Sequence, residues 1–271
     1  MKQGGNMTIT PKTIFTDVQA IRKTSPLVHN ITNFVVMNNT ANALLALGAS
    51  PVMAHAEQEV ADMTGIAGAL VINIGTLSDP WIAAMFLAAQ AASDKQIPMV
   101  LDPVGAGATA YRTDTAKKLM HQFKPGIIRG NGSEIMALGS QNAVTKGVDS
   151  ASAADLAVDT AKGLSREHGS VLCITGETDY IIKTNDVIKI KSGHAMMPRV
   201  TGLGCTASAL CGAFAAVNAN LVQATAHAMA VMGIAGEIAG RNAAGPGSFQ
   251  VQFLDALYRL SESDIQQHFK A

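Results

Sequence analysis

Hydrophobic positions along this chain follow two alternating patterns. Short, continuous apolar runs rich in β-branched residues are separated by longer segments in which apolar residues recur at helical spacing. The runs SPVMA (50–54), ALVINIG (69–75), PMVLDP (98–103), GIIRG (126–130), SVLCITG (170–176), DYIIKT (179–184) and DVIKIKS (186–192) predict strands. Helical spacing predicts helices over 13–23, 34–47, 78–93, 113–121 and 151–168. Strands alternating with helices build βαβ units, and the unbroken apolar character of the strands implies burial on both faces of a largely parallel sheet. One pair departs from this scheme: the two alternating runs on either side of TND (184–186) predict an antiparallel hairpin. From Cys205 onward no strand pattern returns, and three or four helices close the chain. The fold class is therefore α/β, with no repeat or linker dividing residues 1–271, which predicts a single domain.

Composition narrows what such a domain does. Twenty basic and twenty acidic residues balance without any charged block, so neither a nucleic acid nor an anionic membrane is the expected partner. Aromatics make up only 4 %, too few for a base-stacking platform or a protein-binding surface built on rigid anchors. A small-molecule ligand fits better. Three cysteines, Cys173, Cys205 and Cys211, show no CxxC spacing, which disfavours a disulfide framework and a structural zinc site and makes a reducing cytoplasm the simplest setting. Residues 1–6 lack the apolar stretch of a secretory signal and are expected to be a disordered lead-in. WIAAMFLAAQAA and CTASALCGAFAAVNA fall short of the roughly 20 residues a membrane span needs, and predict buried helices.

Polar residues gather where the predicted strands end, which is where open α/β sheets bind ligands. In VLDPVGAGA, Asp102 follows a strand and precedes Gly105 and Gly107. The segment serves either as a capped turn or as a carboxylate for hydrated Mg²⁺ beside glycine amides that admit phosphate. IIRGNGSEI offers Arg129 as a fork for phosphate oxygens and Glu134 as a hard oxygen ligand to water on Mg²⁺, though Asn131 to Glu134 also has the form of a helix cap. CITGETD ends its strand in Thr175 and Gly176, a hydroxyl and a backbone amide suited to phosphate.

VTGLGCTASAL (200–210) carries the strongest signal. Gly202 and Gly204 open a helix, so several N–H groups can converge on one anion where the helix end carries roughly half a positive charge. The same field is expected to lower the pKa of the Cys205 thiol, although a free cysteine is also a common core filler. Cys173 and Cys211 read as core residues. Nearer the N-terminus the chain is dense in asparagine: Asn30 and Asn33 can bond a polar heterocycle, whereas Asn38, Asn39 and Asn42 suit helix capping or lining. His29 and His55 have no third ligand in evidence and do not make a metal site.

VHNITNFVVMNNTANALLALGASPVM, LDPVGAGAT, RGNGSEI, ITGETD and VTGLGCTASA, in this order, resemble the hydroxyethylthiazole kinases, members of the ribokinase-like superfamily. The resemblance implies a three-layer ribokinase-like fold, with a central, mostly parallel sheet flanked by helices. It implies phosphorylation of 4-methyl-5-(2-hydroxyethyl)thiazole by ATP with Mg²⁺, a step of thiamine salvage, in a homotrimer with substrate sites at subunit interfaces. Carried over, Met53 and Gly202 contact the thiazole, Met53 through its backbone; Arg129 and Thr175 contact ATP, with Gly204 beside them; Asp102 and Glu134 lie near Mg²⁺ and the phosphates. The wider superfamily places an Asp where this chain has Cys205, which leaves Cys205 as a mild base or a spacer against the substrate hydroxyl. A hydroxymethylpyrimidine kinase, a dehydratase of hydrated nicotinamide nucleotides and a non-catalytic thiazole sensor are the alternatives.

Overall fold

The computed structural model describes residues 9–139 and 153–270. The expected lead-in 1–6 and the first two residues of the helix expected over 151–168 lie outside them. Helix α1 (Pro11–Thr24) starts where Thr10 accepts from the amide of Thr13 and the Thr13 hydroxyl is bonded in turn by the Thr10 amide, two otherwise orphaned donors satisfied together. It leads to β1 (Leu27–Ile31), α2 (Met37–Leu47), β2 (Ser50–Val52), α3 (Val60–Ile66), β3 (Ala69–Asn73), α4 (Asp79–Lys95), β4 (Met99–Asp102), α5 (Ala110–Phe123), β5 (Ile127–Asn131) and α6 (Gly132–Gly139). Beyond the undescribed segment come α7 (Ala153–His168), β6 (Val171–Thr175), β7 (Asp179–Lys183) and β8 (Asp186–Ile190). A short 3₁₀ turn (Met197–Arg199) then precedes α8 (Leu203–Val217), α9 (Leu221–Asn242), α10 (Pro246–Arg259) and α11 (Glu262–His268).

Among the described residues, eight strands form one sheet in the order β2-β1-β3-β4-β5-β6-β7-β8. Pairing is parallel from β2 through β6, and the β7–β8 hairpin adds an antiparallel edge, as the TND pattern predicts. All seven expected strands are present. β1 is missing from the predicted runs, because His29 and Asn30 break its apolar pattern; both are buried, His29 bonded to Thr64 and Ala54 and Asn30 Nδ2 to Val28, while Asn30 Oδ1 has no hydrogen-bond partner.

Strand side chains alternate between two cores, which makes the fold three-layered. Val71, Val100, Ile127, Val171 and Ile181 face the core shared with α1, α2 and α8–α10. Leu70, Ile72, Leu101, Ile128, Leu172 and Ile182 face the core under α4, α5 and α7. Helix α8 packs on β1, β3, β4 and β5 below and on α2 and α9 beside it, which explains why its residues are apolar or small almost throughout. Helix α9 is long and apolar enough to cross a membrane by length and composition, but 78 % of its most apolar window is buried within the fold, where it packs against α8 and α10.

Because β1 connects to β2 on one side and the chain then crosses to β3 on the other, the sheet has a topological switch between β1 and β3. A crevice opens at such a point, beyond the carboxyl ends of the strands. Along the carboxyl edge of the sheet the register brings the last residues of neighbouring strands side by side: Asn73 of β3 pairs with Asp102 of β4, and Asn131 of β5 with Thr175 of β6.

Candidate active site

Asp102 closes β4 and is 0 % exposed. Its Oδ2 accepts from Asn73 Nδ2 at 2.8 Å and from Ser208 Oγ, one turn into α8, at 2.7 Å. Its Oδ1 is buried without a hydrogen-bond partner. An orphaned carboxylate oxygen is expensive to bury, so its persistence points to a cation or water it is built to receive. Burial pushes the Asp102 carboxyl up to about 6, against the pull of Arg129 and the Ser208 hydrogen bond.

Arg129 lies on β5 with Nη1 4.0 Å from Asp102 Oδ2 and Nη2 donating to Thr175 Oγ1 at 2.6 Å. Burial works against its charge, but the anionic groups around it, Asp102 foremost, prevail and hold its pKa above the ordinary value. Its Nε has no partner, so a buried donor remains free beside the crevice. Glu134, in the first turn of α6, accepts from Gly105 N at 2.9 Å through Oε1 and from Asn131 N at 2.8 Å through Oε2. One carboxylate thereby clamps the loop after β4 to the end of β5. This is the capping arrangement legible in the sequence, extended to a second loop.

Gly202 is the N-cap of α8, with φ +84°, a conformation that glycine adopts without strain. Gly204 sits so close to Arg129 that a Cβ there would stand 3.1 Å from Nη1. The amide end of α8 and the guanidinium therefore share one space. Arg129, Thr175, Gly202 and Gly204 all line a cleft of about 800 Å³, which Asp179, Lys191 and other residues complete. That volume falls in the range of small-molecule sites.

Cys205 is half-buried in the first turn of α8, with Asn33 Nδ2 3.5 Å from its Sγ. Asn33 also donates to Asn73 Oδ1 at 2.9 Å, which links the thiol through two amides to Asp102. The expectation of a lowered thiol pKa is overturned: burial, then the charge of Asp102, push it up to about 11, outweighing Asn73, Asn33 and Arg129. A helix terminus supplies about 2 kcal/mol at most to a partly buried group, roughly 1.5 pKa units, and does not offset that rise. Cys205 is a neutral thiol at pH 7.

The Hydroxyethylthiazole kinase family profile matches residues 18–263. The chain belongs to the hydroxyethylthiazole kinase family. A relative from Syntrophus aciditrophicus (strain SB), named hydroxyethylthiazole kinase, is 60 % identical over 265 residues, 97 % of this chain and 98 % of that one. Among solved structures, that of the hydroxyethylthiazole kinase protein from Pyrococcus horikoshii OT3 aligns with a TM-score of 0.89 at 43 % identity, covering 96 % of this chain and 98 % of the other. A ribokinase-like superfamily protein from Enterococcus faecalis V583 shares the fold, with a TM-score of 0.64 at 12 % identity over 98 % of this chain and 93 % of its own.

In this member of the hydroxyethylthiazole kinase family, Arg129, Thr175, Gly202 and Gly204 line the cleft, while Asp102 lies buried beside Arg129, within electrostatic reach of Glu134 and Cys205. Asn30 stands apart: it is 1 % exposed, and its Nδ2 donates to Val28 O of its own strand at 2.9 Å. The asparagine that reaches the site is Asn33. Met53 follows β2, its carbonyl 3.4 Å from His55 Nδ1, and among the described contacts none ties it to the Asp102 group. Sequence reasoning missed Asn73 and Ser208, which hold the carboxylate. Asn73 did carry a usable signal, since it ends a strand and precedes a glycine turn much as Asp102 does. His29 engages Thr64 and Ala54 rather than His55, whose ring instead meets that of Trp81 at a tilt.

Proposed function

We propose that the chain catalyses ATP-dependent phosphorylation of the hydroxyl of 4-methyl-5-(2-hydroxyethyl)thiazole to its monophosphate in thiamine salvage, within one ribokinase-like domain spanning residues 1–271. The observation that carries this reading is the buried, unpartnered Oδ1 of Asp102, whose carboxylate lies beside Arg129, the guanidinium that in turn crowds Gly204 at the start of α8. Phosphoryl transfer asks little covalent chemistry of a protein and much positioning and charge neutralisation, which such an arrangement provides.

Asp102 and the remaining lone pairs of Glu134 are hard oxygen donors suited to Mg²⁺, Glu134 through water. When bound, Mg²⁺ neutralises charge on the phosphate oxygens. Arg129, Thr175 and the Gly204 amide bind the nucleotide phosphates from the cleft side. Gly202 and the Met53 backbone contact the thiazole. The polar contribution of the asparagine-rich segment passes from Asn30 to Asn33, because Asn30 is buried in its own strand. An assay of ADP formation with hydroxyethylthiazole, hydroxymethylpyrimidine or no acceptor tests the assignment. Mg²⁺-dependent turnover confined to the thiazole is expected; equal turnover with the pyrimidine, or none with either, overturns it.

Homotrimer formation and a cytoplasmic setting belong to the same reading. The trimer is supported by an apolar patch beside the crevice: Phe34 and Val35 are 64 % and 66 % exposed, and Phe34 packs on Trp81, which also meets His55 two residues beyond Met53. A second subunit covering that patch would reach the acceptor side of the site.

Cys205 holds the acceptor side as a neutral thiol. General-base catalysis contributes on the order of 10² to 10⁴ in rate, whereas packing and a weak S–H contact contribute far less. Cys205→Ala is therefore expected to retain kcat within about tenfold of the parent. With its pKa near 11, the thiol adds no limb to the rate profile between neutrality and pH 9. A kcat loss beyond about 10²-fold, or an alkaline limb absent from the variant, would restore Cys205 as the base.

A further inference from the structure

A second cluster of ligand-type side chains lies at the opposite end of the sheet. Helices α5 and α7 each lead into the amino end of a strand, β5 and β6, so their last turns sit far from the crevice at the strand carboxyl ends. His121 stands in the last turn of α5, and Glu167 and His168 in that of α7. One potential ligand atom from each lies within 4.8 Å of the others, and the two imidazoles meet edge to face with centroids 4.8 Å apart.

The decisive group is His168. Its side chain is 4 % exposed, its Nε2 stands 3.5 Å from Glu167 Oε1, and that nitrogen has no hydrogen-bond partner. A buried imidazole nitrogen without a partner, set beside a second imidazole and a carboxylate, is an unmet demand rather than a packing detail. Both helices end here, and the partial negative charge of two helix carboxyl termini favours a cation. Lys117, in the cleft of about 390 Å³ at this place, and Lys124, at the end of α5, oppose it.

We propose that His121, Glu167 and His168 bind a borderline divalent transition metal of the Zn²⁺ class, joining the ends of α5 and α7. Two imidazoles and one carboxylate supply three of four tetrahedral positions and leave one for water. Nitrogen donors of this kind select Zn²⁺, Ni²⁺ or Cu²⁺ over Mg²⁺, so the site is chemically distinct from the one at Asp102. The lysines limit its affinity without changing its selectivity.

Calorimetric titration of the full-length protein with Zn²⁺ tests this, with Co²⁺ absorption reporting nitrogen coordination and thermal unfolding reporting binding to the folded state. The parent is expected to take up one equivalent and to melt higher with Zn²⁺. His121→Ala and Glu167→Gln change exposed helical positions and should fold; each is expected to weaken binding by about tenfold or more and to remove the melting shift. Absence of saturable binding overturns the proposal, and so does Zn²⁺ binding of undiminished affinity in His121→Ala.

Discussion

Asp102→Asn is expected to lower kcat by about 10³-fold while the protein stays folded, a loss in line with removing one preorganised charge from a water-poor site. The substitution keeps the shape of the side chain and one oxygen to accept from Asn73 and Ser208. It turns the unpartnered Oδ1 into an N–H₂ donor, which meets a cation with the wrong charge. Arg129 also loses the carboxylate 4.0 Å from it, so the nucleotide KM should rise. Steady-state kinetics at saturating and limiting Mg²⁺ separate the two effects. A variant within about tenfold of the parent would show that Asp102 is not a charge the reaction uses.

The pH dependence of stability gives an independent readout with a fixed sign. Folding raises the Asp102 carboxyl from 3.8 to about 6, so the folded state binds the proton more tightly than the unfolded chain. Its contribution to stability is complete below about pH 4 and is lost as pH rises through 6, where the buried carboxylate becomes charged. The asparagine cannot charge. Asp102→Asn should therefore gain stability relative to the parent between pH 4 and pH 7, on the order of 2 to 3 kcal/mol, in denaturant titrations at the two pH values.

The fold was legible because a parallel sheet buried on both faces writes its strands as apolar runs and its helices as periodic ones. β1 escaped for the opposite reason: His29 and Asn30 are polar residues buried against Thr64, Ala54 and Val28, partners that nothing local announces, and Asn30 Oδ1 is left without one. The candidate site was legible as far as strand ends mark it, since Asp102, Arg129, Glu134 and Thr175 lie near one another in the fold. What holds Asp102 was not, since Ser208 lies 106 residues away and reaches the carboxylate only through the packing of α8 on the sheet. Cys205 shows how direction can be misjudged. A helix start is visible in the residues around it, but burial and a carboxylate brought near by the fold decide its pKa and reverse the expected shift.

Gly202→Val is expected to reduce kcat/KM by about 10² to 10³-fold, the second large effect, and it tests the amide end of α8 without touching any charge. At φ +84° a β-branched residue is strained whatever space surrounds it. Space is also missing, because a Cβ at this position would stand 2.7 Å from Cγ1 of Val36, the buried N-cap residue of α2. The backbone must rotate, which turns the first N–H groups of α8 away from the cleft and shifts Cys205 and Ser208 with it. Gly204→Ala provides the calibrated comparison. It has no positive φ, and its added methyl meets only the Arg129 guanidinium, the far end of a flexible side chain, at 3.1 Å. Its effect should be about tenfold and fall mainly on the KM for ATP, because Arg129 can swing aside while the helix start stays in place. If Gly202→Val folds and keeps kcat/KM within a few-fold, or if Gly204→Ala proves the more damaging, phosphate binding rests on the guanidinium rather than on the helix amides. Circular dichroism on both variants keeps loss of folding apart from loss of the cradle.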